Sequence, residues 1–512
     1  MSSPATSSNR QTGRLAASRA RRDLAAASAY ALLVPFFALI VCVISLLMGV
    51  RGQELLMVAL AMLTTVIAFI PVVVQRLIPP ERRHLFISFL SLVFVLYFAL
   101  PVFTQYFWAV QDNFSVTALY NIELEDVIFG QIAAIIALIS LLIGFALPLG
   151  SLIRTALPLP RHEWGEQNSL LVAVSVILLG WVVFLSGRVG LGFIPTSLGS
   201  GAVGSVGSFY VFGIALLTIV YLKFQSRTAL SLMLFFIPIS MFFGFLTGSK
   251  SSVLLPAAMV ALAHIVTTRQ VRASWFIGAI IAITLLYPVA QFYRSVVQVG
   301  NTLSAAQVLS DPNRMILLLS TFADTIDPAE YLTAGIRSAT SRLSALGILS
   351  VIVRDTGDRI PFQGGWTLAM AAVSFVPRVI WPGKPAMAIG VWVTENFGSG
   401  PGINSATGPS QIGEFYFSYG WAGVILGWTL LGIYFRAISE LFFRPNAPTP
   451  ALLTAVIALW TTVPALQGTL LNFTSGFLFI AVYVAVLHLL VRVFLGTTIP
   501  EQPSTPGARA GP

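Results

Sequence analysis

The residues best suited to chemistry fall in one long hydrophilic stretch, residues 294–412, of an otherwise largely apolar chain. It contains F-V-P-R-V-I-W-P-G-K-P (residues 375–385) and ends in Gln411-Ile412-Gly413-Glu414, where an apolar helix begins. Pro377, Pro382 and Pro385 restrict the backbone to an extended or turn-rich path, which fixes Arg378 and Lys384 with Trp381 between them. A guanidinium grips phosphate oxygens with two parallel hydrogen bonds, and an ammonium acts as a point charge. With Arg188, Lys250 and Arg294, each at the end of an apolar run, these cations suit a lipid-linked phosphate or pyrophosphate. Snorkelling to lipid headgroups, or pairing with acids of the same loop, is the simpler use of any one of them.

Among the acids, Glu414, Glu395, Asp324 and Asp327 are candidates for proton transfer or hydroxyl contact. Glu414 leads because it opens an apolar helix, where partial desolvation makes a carboxylate a better proton acceptor. Its bland alternative is a carboxylate satisfying the free amides of a helix start. Trp381 and Glu395 are assigned to sugar contact, with an interfacial tryptophan as the alternative for Trp381. No histidine–cysteine cluster and no Walker loop is present, so neither a metal nor any other cofactor is expected.

The elements that must position these residues are membrane helices. Of 512 residues, 56% are hydrophobic and 9% charged, which excludes an ordinary soluble domain. Apolar runs of about 20 residues recur, and they predict an all-α polytopic membrane protein of about twelve spans. These are 27–50, 55–75, 85–108, 127–149, 168–187, 204–223, 229–247, 252–268, 273–293, 413–435, 450–470 and 475–494. The net charge of +10 would suggest nucleic acid in a soluble protein; here no nucleic acid is expected, because much of the excess is lysine and arginine that fixes topology.

With both termini cytoplasmic, every inner loop carries at least two cations, among them Arg76, Arg82, Arg154, Lys223, Arg269 and Arg436. The segment holding Asp112, Glu123, Glu125 and Asp126 is then outside. So are Arg51, Arg314, Arg337, Arg342, Arg354 and Arg359, together with the cations named first. His84, His162, His264 and His488 all fall on the inner side, and none can serve as an outer base. The predicted organisation is a disordered basic tail over 1–24, nine spans over 25–293, the outer loop over 294–412, three spans over 413–495 and a disordered tail over 496–512. Two apolar runs in the loop, 343–353 and 366–376, are too short to span and predict interfacial or re-entrant helices. Cys42 stands alone, so no intrachain disulfide forms. Acids and histidines at mid-membrane are sparse, which counts against an ion-coupled transporter.

Together, the turn L-T-G-S-K-S-S (246–252), Y-R-S (293–295), the 375–385 string and I-G-E-F-Y-F-S-Y-G-W-A-G (412–423) resemble the Wzy-type oligosaccharide repeat-unit polymerases of O-antigen and exopolysaccharide synthesis. The likeness covers mainly residues 188–434. Those proteins are similar in carrying arginine-rich outer loops, some with an Arg-x10-Gly spacing that Arg188–Gly199 and Arg354–Gly365 match and Arg378 does not. The resemblance implies a glycosyltransferase in the bacterial cytoplasmic membrane. A glycan would pass from its polyprenyl pyrophosphate to an incoming lipid-linked repeat unit on the outer face, with a chain-length regulator and a flippase as partners. It assigns Arg188, Lys250, Arg294, Arg378 and Lys384 to the pyrophosphate and Glu414 to the attacking hydroxyl. O-antigen ligases are the nearest rival; they are similar in using an outer-loop histidine, which this loop lacks. A flippase or transporter, and a non-catalytic assembly scaffold, stay open as other classes.

Overall fold

A computed structural model describes residues 28–78, 83–103, 122–156, 162–186, 207, 209–247, 250–269, 313, 317, 320, 344–373, 376, 381, 383, 389–398, 407–444 and 447–497. Among them the regular structure is helical and holds no strand, as the all-α expectation requires. In chain order the helices are α1 Ser28–Leu47, α2 Gly52–Leu77, α3 Leu85–Phe94 (continued by a π turn, Val95–Ala99), α4 Leu124–Ala146 and α5 Leu149–Ala156. There follow α6 Glu166–Phe184, α7 Tyr210–Phe224, α8 Arg227–Leu246, α9 Lys250–Thr268, α10 Leu346–Asp355 and α11 Trp366–Ala372. Last come α12 Ile389–Phe397, α13 Ser410–Phe442, α14 Thr449–Gln467 and α15 Leu470–Leu490.

Six of these, α1, α2, α4, α6, α8 and α13, are long and apolar enough to cross a membrane. Shorter apolar helices stand at five of the other predicted spans: Leu85–Ala99, Tyr210–Phe224, Ser252–Thr268, Thr449–Val463 and Ala481–Leu495. The predicted span 273–293 lies outside the described residues, as do the tail over 1–24 and residues 498–512 of the other tail. The face α1 shows to its surroundings is apolar, with Leu47 80% and Leu32 73% exposed, as lipid contact requires.

Contacts divide the chain into two units. The first holds α1–α5, α10–α13 and residues 459–479. Its axis is the pair α4–α13, joined through glycines. A methyl group at Gly144 would sit 2.0 Å from the Thr429 carbonyl oxygen, and one at Gly432 would sit 2.4 Å from that of Leu141. Gly130 of α4 and Gly413 of α13 both meet α10, at Ser350 and Ile352, so residue numbers rise together from there to the Gly144–Thr429 contact and the two helices run parallel.

The second unit holds α6–α9 and residues 445–458 and 480–512 among its parts. There α7 is buried from Tyr210 to Val220, and Gly213 lets it close onto Ala173 and Ile177 of α6. Glu163 pairs with Lys223 and accepts the Thr449 amide, while Trp164 donates to His488 Nδ1 at 2.8 Å. Glu163, Lys223 and His488 thus have structural uses in this unit.

Candidate functional site

The I-G-E-F-Y-F-S-Y-G-W-A-G segment does not form one straight helix. Within α13, Tyr419 (φ −146°, ψ 21°) and Gly420 (φ 61°, ψ −148°) leave helical geometry. The ψ and positive φ of Gly420 define a conformation essentially confined to glycine. Beyond the break, a methyl group at Gly423 would meet the Phe415 carbonyl at 2.2 Å, and the Phe415 ring lies on Gly427. Eight residues of straight helix would hold positions 415 and 423 about 12 Å apart, so the piece 410–418 bends sharply back on the piece that follows. The second piece, 421–442, is about 33 Å long by helical rise and alone suffices to span. The first is therefore additional.

Residues 410–418 are buried throughout, polar ones included. Ser410 caps the piece by accepting the Gly413 amide at 3.1 Å, and Ser418 donates to the Glu414 carbonyl at 2.7 Å. Glu414 is fully enclosed. Its Oε2 accepts the Leu470 amide at the start of α15, and its Oε1 has no hydrogen-bond partner. The carboxylate thus does satisfy a helix start, but that of α15 and not its own. Gln411, one turn earlier on the same face, is also fully buried, and neither its Oε1 nor its Nε2 is paired. Thr367, in α11, is buried too; its hydroxyl lies beside the Glu414 carboxylate, outside hydrogen-bond geometry.

A strap over residues 355–366 holds this piece in place. Gln363 donates its amide to the Phe417 carbonyl at 2.8 Å, and the Tyr419 hydroxyl donates to the Gly364 carbonyl at 2.8 Å. Gly365 (φ 77°) starts α11 where a methyl group would fall 2.4 Å from that hydroxyl. Phe362 covers both Gly357 and Gly420. Further along, Thr474 in α15 donates to the Ala371 carbonyl at 3.2 Å, which ties down the other end of α11. Replacing Gly420 with alanine is expected to destabilise the protein by about 1–3 kcal/mol through backbone strain, read as a lowered thermal midpoint in detergent.

The ionic residues at the strap's origin are occupied with each other. Arg354 Nε donates to Asp355 Oδ1 at 2.7 Å, Arg354 Nη1 reaches Asp126 Oδ2 at 3.4 Å, and Arg359 pairs with Asp355 at 3.3 Å. The hydrogen bond to Asp355 holds the Arg354 guanidinium above its ordinary pKa. Pairing with acids is thus the observed use of Arg354 and Arg359. In the Arg354–Gly365 spacing, the arginine anchors the strap's first end to α4 and the glycine permits its last turn.

Of the two predicted short helices, α10 and α11 match the apolar runs. However, α10 is not interfacial: residues 346–353 are buried on every side, packed on α4 at Gly130 and on α13 at Gly413. A helix lying flat at an interface would keep one face open.

The expected site residues are only partly brought together. Glu414 sits in the buried junction. Glu395, on α12, is exposed, and Trp381 is 39% exposed. Lys250 begins α9 in the second unit. Arg188, Arg294, Arg378, Lys384, Asp324 and Asp327 lie outside the described residues. Sequence reading missed Thr367 and the half-buried pair Trp366–Trp392, whose rings meet edge-on at 5.9 Å. Trp392 also packs against Phe417 at 5.4 Å, which joins this aromatic pair to the buried piece. The visible signal was Trp366 at the start of a predicted loop helix; Trp392 stands on α12, for which no helix was predicted.

Among the described residues no group of three or more histidine, cysteine, aspartate or glutamate side chains is placed to hold a metal. A family model described as a domain of unknown function, DUF8712, matches residues 71–442, more than half of the chain. No curated protein and no solved structure matches it.

Proposed function

The chain belongs to the DUF8712 family, and we propose that it is a membrane glycosyltransferase which polymerises lipid-pyrophosphate-linked oligosaccharide repeat units. In this reading about twelve spans enclose an outer loop over 294–412, both termini are cytoplasmic, and the membrane is the bacterial cytoplasmic one.

One observation carries the reading. The segment behind the family resemblance is wholly buried, holds unpartnered Gln411 and Glu414 atoms, and joins the Trp366–Trp392 pair through Phe417. Buried polar atoms without partners are rare because each forfeits hydration, and in an apolar bundle they mark function by default. Aromatic faces beside such a centre suit sugar rings. The parallel course of α4 and α13 supports the topology, since both would enter from outside.

In the proposed reaction, a hydroxyl of the acceptor repeat unit attacks the anomeric carbon of the donor glycan. The bond from that carbon to the pyrophosphate oxygen breaks, and the polyprenyl pyrophosphate leaves with the bonding pair. Arg188, Lys250, Arg294, Arg378 and Lys384 are the residues assigned to the charge that develops on it. A proton acceptor must come within about 3 Å of the attacking hydroxyl, which the enclosed Glu414 does not offer. The hydroxyl proton therefore passes to solvent or to the departing phosphate. Trp381 and Glu395, both exposed, are assigned to sugar contact, alongside Trp366 and Trp392.

A second reading, transport of the lipid-linked oligosaccharide, is favoured by the buried Glu414 carboxylate, which pairs with no lysine or arginine among the described residues. Deleting the gene distinguishes them. Single lipid-linked repeats accumulating on the outer face are the expected result; repeats trapped inside would indicate transport, and full-length unattached polymer a ligase.

A further inference from the structure

We propose that Glu414, Gln411 and Thr367 form a binding site for one monovalent cation, sodium, inside the first unit. The inference does not rest on glycosyl transfer; it rests on the charge and oxygen inventory of the junction. Glu414 is 0% exposed, and among the described residues no lysine or arginine pairs with it. A carboxylate withdrawn from water needs a compensating partner, because the penalty for an isolated buried charge exceeds what most folds can sustain. The Leu470 amide supplies part of that compensation. As the start of α15, it presents the positive end of a helix, equivalent to about half a charge. The remaining carboxylate oxygen, Oε1, has no partner.

Two further buried oxygens, both hard donors, stand on the same helical face and on the neighbouring α11. Gln411 stands three residues earlier on the same helical face with its amide oxygen unpaired. Thr367 brings an unpaired, fully buried hydroxyl beside the carboxylate from α11. A single negative charge balances one monovalent cation, whose remaining ligands would come from backbone carbonyls or water. A divalent ion such as calcium or magnesium would leave a net positive charge in an enclosed site with one carboxylate. Zinc and other softer metals prefer imidazole or thiolate, and neither is among these groups. The ion would tie α13 to α11, so the strap over 355–366 and the Trp366 face would be set by its occupancy.

The test uses the full chain, purified in detergent, with thermal unfolding followed in sodium chloride, potassium chloride and choline chloride at equal ionic strength. Sodium is expected to raise the midpoint by about 2–3 °C over choline at a roughly hundredfold excess over Kd. Glu414→Gln keeps an oxygen for the Leu470 amide but loses the charge, and should abolish that rise while retaining helix content. Gln411→Met, which keeps volume and removes the amide oxygen, should weaken sodium at least tenfold. Equal midpoints in sodium and choline for the wild-type chain would overturn the site. So would a sodium response that survives Glu414→Gln, or a stability that follows pH and ignores sodium, which would make the partner a proton.

Discussion

Replacing Arg378 or Lys384 with alanine is expected to leave the protein inserted and folded while chain extension falls by about a hundredfold to a thousandfold. That is the usual loss when one preorganised donor to a developing anion is removed. A cation outside the membrane runs against the bias that places lysine and arginine inside. Between prolines it also loses little further freedom on meeting a ligand. The described cations sharpen the contrast: Arg354 and Arg359 are paired with Asp355 and Asp126, so they are expected to matter for the strap and not for the leaving group. Polymer length on gels, set against the amount of membrane-inserted protein, checks this. Arg378→Lys is expected to recover only part of the loss, because an ammonium cannot make the two-pronged contact.

The second large effect concerns the α4–α13 axis. Gly144→Ala places a methyl group 2.0 Å from the Thr429 carbonyl oxygen and 2.8 Å from its carbon. These are backbone atoms, so no rotamer change relieves the clash, and the helices must separate. The loss is expected at the upper end of the ~1–3 kcal/mol typical of overpacking. Small residues at such contacts let membrane helices gain packing where no hydrophobic drive between them exists. Gly383→Ala, with nothing within 4 Å, serves as the control and should leave the thermal midpoint unchanged.

Much of this architecture was legible in the sequence, for identifiable reasons. Apolar run length located the long helices, because a bilayer imposes it: the predicted start at 413 lies within three residues of α13, and 252–268 coincides with an observed apolar helix. The short runs at 343–353 and 366–376 were legible as helices too, but the burial of α10 was not, since length alone does not say what covers a helix. The bend at Tyr419–Gly420 was hidden, because hydropathy continues smoothly across it and only the Y-G-W-A-G glycines hint at close approach. Pairings across the chain were hidden as well. Arg354 meets Asp126 and Glu414 meets Leu470 only through the packing of α4, α10, α13 and α15. The sequence marked Glu414 as unusual for a sound reason, a charge opening an apolar helix. What it could not show was that one oxygen is held by another helix and the other is enclosed.

The most direct test of the central claim is reconstitution. The purified chain is placed in vesicles with its polyprenyl-pyrophosphate-linked repeat unit, and the lipid-linked products are resolved by size. Glycosyl transfer gives a ladder of whole-repeat multiples together with released polyprenyl pyrophosphate, and the Arg378→Ala protein leaves the single unit unchanged. A folded, inserted wild-type chain that also leaves the single unit unchanged would contradict the account.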